Sequence, residues 1–237
     1  MEMLNLANIL DYSTKEYAEK TALVFGDNRF SYAQLNAVAN QVANGLAALG
    51  IGKGDKVALS CPNLPFFPMV YYGILKTGAV VVPLNVLLKG REIAYHLQDS
   101  EAKAYFCFQG TPELPMAEEG WAGFNGADQC EHFWVMTADP AGASPIEGTA
   151  TLGQLIGRQS PVFETVVTEF DDTAVILYTS GTTGFPKGAE LSHASMTMNA
   201  LGSRDLLVLS QEDVHLVVLP LFHSFGQTVL MNAGLSM

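Results

Sequence analysis

Between Leu177 and His193 the chain reads LYTSGTTGFPKGAELSH. Hydroxyls from Ser180, Thr182 and Thr183, the bare backbones of Gly181 and Gly184, and the cation of Lys187 are gathered between two apolar segments. Glycine lets a ligand approach the main chain because no Cβ intervenes. Successive amide N–H groups in such a loop can converge into an anion-binding nest, and a lysine adds a point charge suited to phosphate. Pro186 stiffens the exit. The composition suits a polyphosphate; a merely structural Gly-rich turn is the other reading. The spacing does not fit the Walker loop G-x-x-x-x-G-K-[ST]. Pro186 stands five residues after Gly181, Gly188 follows Lys187, and the loop leads into AELSH rather than straight into a helix. A G-x-G-x-x-G dinucleotide fingerprint is absent as well.

The elements that must position this loop are legible along the chain. Apolar residues at Leu6, Ile9, Leu10 and Tyr17 predict an amphipathic helix. TALVFGDNRFSY predicts a hairpin about Gly-Asp-Asn. Ser31 and Gln34 form a capping box for a helix that Gly50 ends. KVALSC, AVVVPL and AYFCF read as apolar strands, with helices over Leu64–Lys76, closed by Gly78, and over Lys89–Gln98. This alternation predicts an α/β fold, a mostly parallel sheet covered by helices on both faces. From about 109 to 161 the pattern weakens into a surface excursion rich in Gly, Ala, Pro and acids, broken by the strand HFWVM and a short helix near Leu152–Arg158. DDTAVILYTS then runs as a strand into the loop. AELSH, a helix over Ala194–Leu207, a strand VHLVVLP and a helix from Phe225 follow. The chain stops at Met237 inside that last helical pattern, which reads as the front part of a longer protein.

Composition narrows the function classes. The 237 residues carry 24 acids against 12 bases, a net charge of −12. No basic footprint for nucleic acid is present. Cys61, Cys107 and Cys130 are odd in number with no CxxC spacing, which argues against a disulfide framework and against a zinc site, and favours a reducing compartment. The N-terminus has no basic n-region, and no uninterrupted apolar run approaches the roughly 20 residues that span a bilayer. A cytoplasmic protein is expected. The aromatic run FFPMVYY has helical spacing and reads as core or interface. His96, His132 and His215 show no ligand spacing, so the protein alone is not expected to build a metal site, and His193 reads as a structural residue closing the loop region.

YTSGTTGFPKG, Tyr178 to Gly188, resembles the phosphate-binding signature of the adenylate-forming superfamily of acyl-CoA synthetases, luciferases and peptide-synthetase adenylation domains. Phe30–Leu59, Gly73–Lys103 and LPLFHSFG (Leu219–Gly226) resemble further segments of these enzymes, and the combination looks most like a bacterial long- or medium-chain fatty acid–CoA ligase. The resemblance implies that residues 1–237 form part of the large N-terminal adenylation domain, without the small mobile C-terminal domain that carries a catalytic lysine. It implies attack of a carboxylate on the α-phosphate of ATP, giving acyl-AMP and pyrophosphate, and then thioester formation with coenzyme A. Carried over by position, Thr179, Ser180, Gly181, Thr182, Thr183 and Gly184 would cradle the β- and γ-phosphates, with Lys187 paired to the same charge. A hydroxyl of Thr179 or Ser180 would touch Mg²⁺. His223, which by itself reads as a histidine at a strand-to-helix turn, would orient the carboxylate, and Phe225 and Gly226 would line the acyl and adenylate pocket. Bacterial relatives often dimerise through this domain, so a homodimer is a further implication. A fatty acyl-AMP ligase, an aryl-CoA ligase and a truncated, non-catalytic nucleotide-binding domain are the competing readings.

Overall fold

The computed structural model describes residues 5–179 and 184–237. It opens with α1 (Asn8–Tyr17) and a separate antiparallel hairpin, β1 (Thr21–Phe25) with β2 (Asn28–Ser31). Ser31 Oγ accepts the backbone N–H of Gln34, whose side chain accepts the N–H of Ser31, so the capping box starts α2 (Tyr32–Ala48) where the sequence requires it. Each satisfied donor matters because the first turn of a helix has no internal partners. β3 (Lys56–Ser60), α3 (Phe66–Lys76), β4 (Val80–Pro83), α4 (Gly90–Asp99) and β5 (Ala102–Phe108) follow in the expected alternation. Next come α5 (Met116–Phe124), β6 (His132–Met136), β7 (Ala150–Thr151) and α6 (Leu152–Ile156). β8 (Thr173–Thr179), β9 (Lys187–Ser192) and α7 (His193–Leu206) lead to a last helix, α8, which begins π-helically over Gly226–Asn232 and continues over Ala233–Leu235.

Seven strands form one sheet in the order β7-β6-β5-β3-β4-β8-β9, with every neighbouring pair parallel except β8 with β9. From β3 the chain winds one way to β4, then crosses back to β5 and continues to β6. Right-handed crossovers therefore put α3 on one face and α4 and α5 on the other. Covered on both faces, β3, β4 and β5 bury nearly every side chain. A buried Val or Leu of this kind stabilises by roughly 1.5–3 kcal/mol relative to exposure. Phe67, Tyr71 and Tyr72 of the aromatic run are core, and Asn232 of α8 meets both tyrosine hydroxyls, Tyr72 donating at 2.8 Å. Cys61, Cys107 and Cys130 are free and buried, and burial raises the thiol pKa of Cys107 and of Cys130 to about 12.

Two stretches depart from expectation. The weak-pattern segment supplies more than one strand and a short helix: Met116–Phe124 is a helix packed on α4. A glycine on each helix makes that contact close, since a Cβ on Gly123 would stand 2.4 Å from Ile93 Cγ2 and one on Gly90 of α4 2.8 Å from Ala122. VHLVVLP is not a strand. Val214, Leu216 and Val218, at 90%, 79% and 69% exposure, keep their period-two pattern without a strand partner among the described residues.

Candidate functional site

β8 leaves the sheet at its carboxyl edge, where ligands of open α/β sheets gather, and β9 returns antiparallel to it. The register sets Thr179 opposite Lys187 and Tyr178 opposite Gly188. Directly opposed side chains of an antiparallel pair leave the same face, with Cβ atoms about 5 Å apart. Thr179 and Lys187, both exposed, thus stand side by side at the base of the loop. Ser180, Gly181, Thr182 and Thr183, expected to cradle phosphate, lie outside the described residues. Gly184 has φ 132°, a value that L side chains rarely adopt, and among the described residues nothing stands within 4 Å of where a Cβ would be.

Both legs of the loop are held by α4, one turn of whose exposed side carries Tyr95 and Asp99. Tyr178 donates its hydroxyl to Asp99 Oδ2 at 2.6 Å, fixing the incoming leg. Tyr95 donates to the carbonyl of Pro186 at 2.9 Å and stacks on Phe185 with ring centres 5.2 Å apart, fixing the outgoing leg. Buried His96 sits 4.4 Å from the Tyr178 ring, its Nδ1 2.6 Å from the carbonyl of Glu92. Burial, and then the Asp99 carboxylate, push the Tyr178 hydroxyl pKa up, so it stays protonated and remains a donor. Sequence reasoning missed Tyr95 and Asp99; their signal is two hydrogen-bonding groups at i and i+4 on an otherwise amphipathic helix.

The segment with His223 is fixed from β3. Asn63, three residues past that strand, donates to the carbonyls of Leu219 at 3.0 Å and Val217 at 3.2 Å, and accepts the N–H of Leu221 at 3.0 Å. β3 and β8 are two strand spacings apart, about 10 Å, so this segment and the loop share the carboxyl edge of the sheet. His223 and Phe225 are exposed there. Gly226 is buried instead, because a Cβ on it would lie 2.1 Å from the Pro220 carbonyl oxygen; its small size lets the turn before α8 close. Asn63 was also missed. Its only signal is a polar residue between two prolines in CPNLP.

His193 is no part of this edge. It is fully buried at the start of α7, and its Nδ1 accepts the N–H of Leu6 at 2.9 Å, as a structural role demands. Burial lowers its pKa from 6.5 to about 4 despite the nearby Asp172 carboxylate. The residues present fit a polyphosphate: an exposed cation beside an exposed hydroxyl, with no described atom within 4 Å of a Cβ position at Gly184. Among the described residues no group of three or more His, Cys, Asp or Glu side chains is gathered to hold a metal, and no helix is long and apolar enough to cross a membrane.

Known proteins share this arrangement of elements. Crotonobetaine/carnitine–CoA ligase of Salmonella heidelberg (strain SL476) is 36% identical over 226 residues, 92% of this chain and 42% of that protein. The crystal structure of an anthranilate CoA ligase in complex with anthranoyl-AMP superposes with a TM-score of 0.89 at 30% identity, covering 100% of this chain and 44% of that one. A long-chain-fatty-acid–CoA ligase from Archaeoglobus fulgidus gives 0.82 at 27% identity, over 97% and 45%. The chain thus spans less than half the length of the relatives it matches. Residues 10–237 match the family described as AMP-binding enzyme. On that match the chain belongs to the AMP-binding enzyme family.

Proposed function

We propose that this chain supplies the triphosphate loop and part of the acid pocket of an ATP-dependent, AMP-forming acid–CoA ligase. The observation that carries the reading is the pairing of Thr179 with Lys187 at the base of a Gly-rich loop on the carboxyl edge of the sheet. In this reading the backbone of residues 180–184 donates to the β- and γ-phosphates, and Lys187 neutralises the same charge. A substrate carboxylate oxygen attacks the α-phosphorus, the bond to the β-phosphate oxygen breaks, and pyrophosphate leaves with the electron pair. The thiol of coenzyme A then attacks the acyl carbon, loses its proton, and AMP departs. His223 orients the carboxylate and donates to the acyl phosphate oxygens, with Phe225 beside it. Catalysis of this kind is mostly positioning and charge stabilisation. The hydroxyl of Thr179 or Ser180 would hold Mg²⁺, which when bound would supply charge neutralisation for the phosphates.

For the acid we infer a medium- or long-chain fatty acid, on the likeness of Phe30–Leu59, Gly73–Lys103 and Leu219–Gly226 to fatty acid–CoA ligases. A small polar or aromatic acid is the second reading, favoured by the crotonobetaine/carnitine and anthranilate ligases among the relatives. The three free cysteines support a cytoplasmic setting. The thioester step is proposed for the protein as a whole, with the lysine-bearing small domain that the family resemblance implies. The test is ATP–pyrophosphate exchange by the complete protein against a panel of fatty, aromatic and betaine acids, alongside calorimetric titration of this chain with ATP and Mg²⁺. Failure of the chain to bind ATP would refute the loop assignment; exchange with aromatic acids alone would refute the fatty-acid assignment.

A further inference from the structure

The molecule has a cavity of about 450 Å³ away from the phosphate loop. It lies between the β1–β2 hairpin, α2, the start of α3, the ends of β5 and β6, and α6. Phe30, Val38, Phe66, Phe108, Ala138 and Ile156 supply much of its wall. Its place follows from the winding of the sheet. After β3 the chain turns towards β4, and after β5 it turns the opposite way, towards β6. The crevice outside the carboxyl ends of β3 and β5 is therefore the topological switch point, where open α/β sheets hold their ligands. Leu64 and Phe66 follow β3 into that crevice and Phe108 ends β5.

The chemistry of the wall is one-sided. No lining side chain is ionisable. A carboxylate would lose its hydration there without a compensating charge, so this cavity does not suit the acid of the ligase reaction. An empty apolar hollow forfeits dispersion contacts along its whole wall, and cavities about a third of this size accept benzene. On the wall, the hydroxyl of Thr137 is buried with no hydrogen-bond partner among the described residues, a cost that a ligand hydroxyl would relieve once Thr137 turns about χ1. The walls are fixed in advance: both α2 and α6 start in complete capping boxes, Ser31 with Gln34 and Thr151 with Gln154.

We propose that this cavity is a second ligand site, for a neutral aromatic or compact apolar molecule carrying one hydroxyl, separate from the nucleotide loop. The test titrates the 237-residue chain, without ATP, with 2-naphthol and with 2-naphthoate as an anion of similar size. Naphthol is expected to bind with a Kd on the order of 0.1 mM and to shift the Met69 methyl signal, Met69 being on the wall. Naphthoate should bind about tenfold more weakly or not at all. Val38→Trp and Ala138→Trp, which fill the cavity from two sides, should abolish naphthol binding while melting as cooperatively as the parent. Saturating ATP and Mg²⁺ should leave the naphthol affinity unchanged. No binding, equal binding of the two probes, undiminished binding by both folded variants, or displacement by ATP would each overturn the proposal. None of these outcomes bears on whether the loop itself binds ATP.

Discussion

Thr179 and Lys187 are cross-strand partners, so the hydroxyl and the cation that flank the loop leave one face of the same ladder. This makes Lys187 dispensable for folding, since it is exposed at the first position of an edge strand and makes no ion pair among the described residues. Lys187→Ala should weaken ATP binding by about tenfold to a hundredfold, the range of a charge-assisted contact. Its melting temperature should stay with the parent's. Calorimetry and a thermal melt on the same sample decide it, and an unchanged ATP affinity would remove Lys187 from the site.

The clamp made by α4 predicts a different pattern. Tyr178→Phe removes the donor to Asp99, and Tyr95→Phe removes the donor to Pro186. Neither residue is assigned a nucleotide contact. Each variant should weaken ATP binding by only a few-fold, about 0.5–1.5 kcal/mol for one hydrogen bond. The double variant should approach the sum if the two legs are held independently. Titration of the three variants tests this, and identical affinities throughout would show that the legs hold themselves.

His193 predicts an acid-sensitive fold. Its pKa is 6.5 in an ordinary setting and about 4 in the folded chain. Below 6.5 the unfolded chain takes up this proton more readily than the folded one, so stability falls as pH drops from 6.5 towards 4, and this histidine leaves it level above and below that window. The full effect is about 3 kcal/mol. Urea unfolding at pH 7 and pH 4.5 should show the loss in the parent and a smaller one in His193→Gln. Equal losses would assign the acid sensitivity to the carboxylates instead.

Lys76 is wholly buried, paired with Asp11 and 3.3 Å from Thr165 Oγ1, and Thr165 donates to Asp11 Oδ2 at 2.6 Å. Burial lowers the lysine pKa and the Asp11 carboxylate opposes that. Removing one partner strands the other, so Asp11→Ala should cost on the order of 3 kcal/mol. Lys76→Met takes away the buried charge itself and should cost less. Unfolding free energies at pH 7 rank the two, and the reverse ranking would mean that the ammonium is hydrated rather than buried.

Much of this architecture was legible because local and global signals agree. Ser31 with Gln34 marks the start of α2, and Gly50 and Gly78 take φ of 78° and 76° after their helices, where only glycine is at ease. The apolar runs of β3, β4 and β5, short and alternating with helical segments, fit a sheet covered on both sides. α5 was hidden because its glycines are poor helix formers; Gly123 is there for close contact with α4 and Gly120 for close contact with Cys107 of β5, which no local pattern reveals. VHLVVLP misled in the other direction. Its alternation is real, but a strand exists only where another strand pairs with it. In the proposed site, the loop's composition and family likeness single out Thr179 and Lys187, and the structure pairs them across the β8–β9 ladder. Asn63, Tyr95 and Asp99 were not legible, because their importance comes from long-range partners that spacing does not encode.

The exposed apolar row of Val214, Leu216 and Val218 sits on a chain whose net charge is −12. Those two properties act on colloidal behaviour in opposite senses. Mutual repulsion between like-charged molecules keeps the rows apart in dilute buffer, but its reach shrinks to about 8 Å at physiological ionic strength. Added electrolyte therefore favours contact between rows, and the concentration at which this polypeptide stays dispersed falls as salt rises.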